Sequence, residues 1–256
     1  MKKTIIIANW KMNLSPDQAE QVLGEMLALS PSWPLSETSV VVCPSFEALS
    51  ALAPQFKNSA LALGAQNCFW EDEGAYTGEI SPKFLKGLGC QYVIVGHSER
   101  RQNLGETDAQ VSLKVKAALR NGLVPIICVG ETFQERQDGQ KDAAVSGQVN
   151  RALEGLKLLS GDELVLAYEP VWVIGSGQAV SPEEAGHTSQ VIRQVLLDHF
   201  SLEQINSQTR IIYGGSVNPL NVKNFVAWPT IDGILVGGAS LAAKTFSELV
   251  TAGSVN

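Results

Sequence analysis

The chain has 256 residues, 45% of them apolar, enough to bury one large core, and residues 1–256 are read as a single domain. Its net charge of −7, from 19 basic against 26 acidic side chains, argues against nucleic acid as a partner, because binding a phosphate backbone needs a basic face. No apolar run approaches the roughly 18 residues of a membrane span, and Met1-Lys2-Lys3-Thr4 leads into a strand without a small-residue cleavage site, so no membrane partner and a cytoplasmic location are expected.

Strand-like apolar runs recur at 4–10, 39–43, 60–66, 92–95, 124–129, 164–168, 210–213 and 233–236. Between them lie helical stretches with start signals such as Ser15-Pro16-Asp17-Gln18, Ser81-Pro82, Thr107-Asp108 and Ser181-Pro182-Glu183-Glu184, where a capping residue precedes proline or acidic first-turn residues. Eight strand–helix units in this length predict an α/β fold, a parallel sheet buried on both faces and closed into a (βα)8 barrel with outer helices. Active sites of such barrels lie at the carboxyl ends of the strands, so what each strand ends on matters.

The first strand ends in Asn9-Trp10-Lys11, and strand alternation predicts that Asn9 and Lys11 share a face at the barrel mouth while Trp10 points away. The third opens into a long connection, 66–81, which carries Phe69, Trp70 and Tyr76 beside its acids and reads as a docking loop. The fourth is followed by Gly96-His97-Ser98, which puts a histidine at a helix start. A helix N-terminus disfavours imidazolium, so a neutral His97 would donate a hydrogen bond to a carbonyl oxygen. His187 and His199 sit in a predicted helix without such a context and are read as structural.

The sixth strand stops at Glu169, because Pro170 donates no ladder hydrogen bond and holds its neighbour out of the helical region. An apolar turn and Gly175-Ser176-Gly177 follow, which together read as a carboxylate on a strand tip with a hinged flap behind it. The seventh and eighth strands end in Gly214-Gly215-Ser216 and Gly237-Gly238. These glycine pairs, beside Gly175, are read as a cradle for a phosphate. Cys43, Cys68, Cys90 and Cys128 are dispersed and read as reduced thiols, Cys128 as a small buried hydrophobe. No dinucleotide fingerprint, P-loop or metalloprotease helix is present, so no cofactor and no metal are expected.

Asn9-Trp10-Lys11-Met12-Asn13, Gly74-Ala75-Tyr76-Thr77-Gly78-Glu79, Gly96-His97-Ser98-Glu99-Arg100-Arg101, Cys128-Val129-Gly130-Glu131, Tyr168-Glu169-Pro170-Val171-Trp172, Tyr213-Gly214-Gly215-Ser216-Val217 and Val236-Gly237-Gly238-Ala239-Ser240-Leu241, in this order, resemble the triosephosphate isomerase family from end to end. The resemblance implies a TIM barrel that interconverts dihydroxyacetone phosphate and D-glyceraldehyde 3-phosphate through an enediol, a step of glycolysis and gluconeogenesis, without a cofactor. It implies Glu169 as base, His97 as electrophile, Lys11 and Asn9 on the anionic substrate and Glu99 paired with Lys11. Gly175, Ser216, Gly237 and Gly238 would hold the phosphate, and Pro170, Val171, Trp172, Val173, Ile174, Gly175, Ser176 and Gly177 would form the lid. A homodimer is implied too, with Gln66, Thr77, Gly78 and Glu79 in a loop that enters the neighbour near Asn9 and Lys11.

Val173, Ser176 and Val180 depart from the usual alanine, threonine and alanine of the family, and a stiffer β-branched backbone predicts altered lid rates with unchanged chemistry. Two other readings compete. A Schiff-base aldolase-type barrel usually carries its lysine at the end of the sixth strand, where this chain has Glu169. A non-catalytic triose-phosphate-binding barrel has no need of a base facing an oxyanion donor.

Overall fold

A computed structural model describes residues 3–174 and 178–254. Eight parallel strands close on themselves in sequence order: β1 (Thr4–Asn9), β2 (Thr38–Cys43), β3 (Ala62–Ala65), β4 (Tyr92–Val95), β5 (Val124–Val129), β6 (Leu164–Tyr168), β7 (Thr209–Tyr213) and β8 (Gly233–Val236). The ring is sealed where Ile7 of β1 pairs with Leu235 of β8. Helices fill the connections and cover the outside, as the sequence leads one to expect of a closed (βα)8 barrel.

Alternation along each strand makes two cores. Ile5, Ile7, Val41, Ile94, Ile126, Val165 and Ile212 fill the barrel interior. Ile6, Ala8, Val40, Val42, Val93, Val95, Leu164 and Leu166 face outward and pack with the apolar faces of the helices. Strands buried on both sides read as unbroken β-branched runs, which is why the sequence locates them well. Helix starts also fall where the capping residues put them: Ser15, Thr107 and Ser181 accept backbone N–H bonds at the heads of Pro16–Leu29, Asp108–Arg120 and Pro182–His199.

Two strands are shorter than their apolar runs. β1 ends at Asn9, since the chain turns at Lys11, and β3 spans only Ala62–Ala65, since the Ser59 hydroxyl takes up the Leu61 N–H and Gln66 turns its amide to other backbone. None of the described helices is long and apolar enough to cross a membrane.

The four cysteines are buried and unpaired. Burial pushes the Cys68 and Cys90 thiols up to about 12 and also holds those of Cys43 and Cys128 well above the ordinary thiol value. Because the thiolate is the reactive form, the folded protein is expected to resist an aromatic disulfide reagent at pH 8 and to react at all four cysteines once unfolded. Rapid modification of the native chain would contradict this.

Candidate active site

The carboxyl ends of β1, β4 and β6 deliver Asn9, His97 and Glu169 to one place, and the turn after β1 adds Lys11. Asn9 follows Ile5 and Ile7 on the inner face of β1, whereas Trp10 is buried outside. Alternation predicted that Lys11 shares a strand face with Asn9, and it does not: it lies past the strand end at φ +52°, the only described non-glycine residue with positive φ. A left-handed conformation costs a side-chain-bearing residue about 1–2 kcal/mol. It persists because Asn9 Oδ1 accepts the Lys11 N–H at 3.1 Å and Gln66 donates to the Lys11 carbonyl at 2.9 Å.

His97 caps the helix Ser98–Leu104, and its Nδ1 accepts the Glu99 N–H at 3.3 Å. That bond requires an unprotonated Nδ1, so in the neutral ring the hydrogen is assigned to Nε2. Nε2 faces the cavity side, 3.1 Å from Oε1 of Glu169. The geometry is off the line of a hydrogen bond, and Oε1, though buried, has no well-aligned donor. Oε2 accepts the backbone N–H of Ser98 at 2.9 Å. Lys11 Nζ, in turn, pairs with Glu99 at 2.6 Å.

Asn9, Lys11, His97, Glu169, Ser216, Gly237 and Gly238 line one cavity of about 270 Å3. Gly214 leaves room for the base, since a Cβ there would meet Glu169 Cγ at 2.9 Å. Across the cavity the 3-10 turn Gly238–Ser240 begins, and the first N–H groups of such a turn have no partner within it. A carboxylate, an imidazole N–H and an ammonium therefore face a lining of backbone amides, a set suited to moving a proton next to a carbonyl on a small anion.

The segment after Glu169 is fastened from outside the barrel. Trp172 donates its indole N–H to Glu131 Oε1 at 2.8 Å, Val171 N bonds the Glu131 carbonyl at 3.2 Å, and the Arg136 guanidinium lies 4.4 Å above the Trp172 ring. Val173 and Val180 are both buried. Gly175, Ser176 and Gly177, assigned to the lid and, for Gly175, to the phosphate, lie outside the described residues. Burial raises the Glu131 carboxyl above its ordinary range while the Trp172 indole opposes the rise. Trp172→Phe removes that donor and is expected to cost about 1–3 kcal/mol of stability at neutral pH. A raised carboxyl contributes stability below its unfolded pKa and loses it as pH rises through the folded value, so the penalty is expected to shrink as Glu131 takes up its proton in acid. Urea unfolding at two pH values checks both statements.

A second cavity, of about 430 Å3, adjoins the first and shares Asn9, Lys11 and His97 with it, adding Gln66 and Glu99. Thr77, Gly78 and Glu79 are exposed on the connection between β3 and the helix Pro82–Leu88, and do not reach either cavity of their own chain. Beneath the second cavity, Glu106 binds Lys114 at 2.6 Å and Arg100 at 2.7 Å, and Lys114 donates to Asn67 at 2.8 Å.

Two contributors had no assigned role in the sequence, and Gly214, read there as part of a phosphate cradle, has another. Ser98 acts through its backbone N–H, Gly214 by the absence of a side chain, and Glu131 from a different strand end. Of the two unassigned residues, Glu131 carried a signal, as the acid closing Cys128-Val129-Gly130-Glu131.

The family described as Triosephosphate isomerase matches residues 4–253. The chain is similar to the triosephosphate isomerase of Dictyoglomus thermophilum, 44% identical over 250 residues that span 98% of this chain and 99% of the relative. It is also similar to those of Synechococcus sp. strain JA-2-3B'a(2-13), at 46% over 253 residues covering 98% and 97%, and Moorella thermoacetica, at 46% over 250 residues covering 98% of each.

Proposed function

The chain belongs to the triosephosphate isomerase family, and from that premise we propose how its own residues interconvert dihydroxyacetone phosphate and D-glyceraldehyde 3-phosphate. The reaction is an isomerisation in glycolysis that needs no cofactor. Glu169 is the base: it takes a proton from the carbon beside the carbonyl and returns it to the neighbouring carbon. His97 donates its Nε2 hydrogen to the carbonyl oxygen as negative charge builds there. Lys11, beside Asn9, holds the anionic substrate and offsets the enediolate charge, with Glu99 fixing the ammonium. Backbone N–H groups at Ser216, Gly237 and Gly238 take the phosphate, joined by Gly175 of the lid formed by residues 170–177.

The observation that carries this reading is the approach of Glu169 to His97, 3.1 Å apart, in a cavity that Lys11 also lines. A base can work on a carbonyl compound only where a donor stands opposite it, and the two come from β-strand ends 72 residues apart in sequence. A coupled assay for triose phosphate turnover, run on the protein and on Glu169→Gln, tests it.

The chain acts as one domain and works as a homodimer in the cytoplasm. The loop around Thr77 of one copy enters the second cavity of the other, close to Lys11 and His97. Gel filtration is expected to give twice the chain mass of 27.4 kDa, with activity lost on dilution to monomer. A fully active single chain would refute the pairing.

A further inference from the structure

We propose that Gln148 is a positioning residue for the isomerisation, acting through the backbone of Gly130. It stands on the helix Lys141–Leu153, outside the barrel, and its amide closes a two-way pair with a single residue. Gln148 Oε1 accepts the Gly130 N–H at 2.8 Å, and Gln148 Nε2 donates to the Gly130 carbonyl at 3.0 Å. Gly130 is the first residue past β5, so both its backbone groups have left the ladder. A side-chain amide supplies the donor and acceptor that a neighbouring strand supplies elsewhere.

What Gly130 touches makes the fastening consequential. Its neighbour Val129 accepts the Glu169 N–H at 2.8 Å, and a Cβ on Gly130 would overlap the Glu169 carbonyl oxygen. Its other neighbour, Glu131, receives Val171 N through its carbonyl and Trp172 through its carboxylate. The segment 129–131 therefore presses on the base from one side and carries the first lid residues on the other. Gln148 grips it at the middle peptide. Without that grip the Gly130 N–H and carbonyl turn to water, and the segment gains freedom to slide against Glu169. A displacement near 1 Å at a reacting group costs up to about 100-fold in rate. Only glutamine has the reach and the paired donor and acceptor: glutamate offers two acceptors, and asparagine is a methylene short.

The inference rests on Glu169 being the base, and the test separates the two. Gln148→Met keeps the volume and loses both bonds, whereas Gln148→Glu keeps the acceptor and sets a negative charge against the Gly130 carbonyl. Both are expected to lower kcat about tenfold with KM within about twofold. With substrate deuterated at the carbon that loses its proton, the isotope effect on kcat is expected to rise in both variants, a change that mere loss of folded protein does not produce. Inorganic phosphate should inhibit them as it does the parent, since Ser216, Gly237 and Gly238 are untouched. Two variants are compared so that a folding failure in one leaves the other. Parental kcat and isotope effect in a folded variant, alongside an inactive Glu169→Gln, would overturn the role of Gln148. An active Glu169→Gln would instead overturn the assignment of the base.

Discussion

Glu169→Gln is expected to lower kcat by about 10²–10⁴-fold, the usual contribution of a positioned base, with KM changed only a few-fold. The amide matches the carboxylate in shape and still offers an oxygen to the Ser98 N–H, now 2.9 Å from Oε2. What it lacks is a lone pair basic enough to take a proton from carbon. His97, Lys11 and the glycine-lined wall remain in place, so binding survives while transfer stops. Stability is expected to change little: removing the buried charge relieves a desolvation cost, which offsets the amide NH2 that then stands 3.1 Å from His97 Nε2. The coupled assay and a thermal unfolding curve together decide it. A variant that turns over at the parental rate would end the proposal.

The second large effect concerns folding. Glu106→Gln is expected to destabilise the protein by about 3–5 kcal/mol, on the order of 10 °C in Tm for a domain of this size. The Lys114 ammonium has a side-chain exposure of 4% and Glu106 one of 3%. With glutamine at 106 a single neutral oxygen is left for two cations: one of Lys114 and Arg100 faces the amide NH2 instead of an acceptor, and Lys114, which also has the Asn67 oxygen at 2.8 Å, has no counter-charge at 106. An isolated buried cation is far costlier than a buried pair. Calorimetry against the parent measures the shift, and a change below 1 °C would show that the network adds nothing net. Because Asn67 follows Gln66, which holds the Lys11 carbonyl, a secondary loss of activity is also expected.

How far the sequence could be read follows from which forces act locally. The strand runs over Tyr92–Val95, Val124–Val129, Leu164–Tyr168 and Gly233–Val236 coincide with the observed strands, because burial on both faces leaves no polar interruption except at the ends. The site residues ending those strands were visible for the same reason, as polar groups placed just where apolar runs stop. Lys11 shows the limit: its arrival at the cavity depends on a left-handed turn held by Asn9 and Gln66, which no alternation rule contains.

The amino-acid order by itself determined the eight-fold alternation, the capped helix starts and the residue types at the barrel rim, since periodicity and capping involve neighbours within a few positions. Only the tertiary structure decided which atoms meet: Glu169 with His97 Nε2 and the Ser98 N–H, Trp172 with Glu131, Gln148 with Gly130. Those pairs join distant segments through backbone groups and side-chain angles, and their geometry exists only once the barrel has closed and excluded the water that would otherwise take each partner.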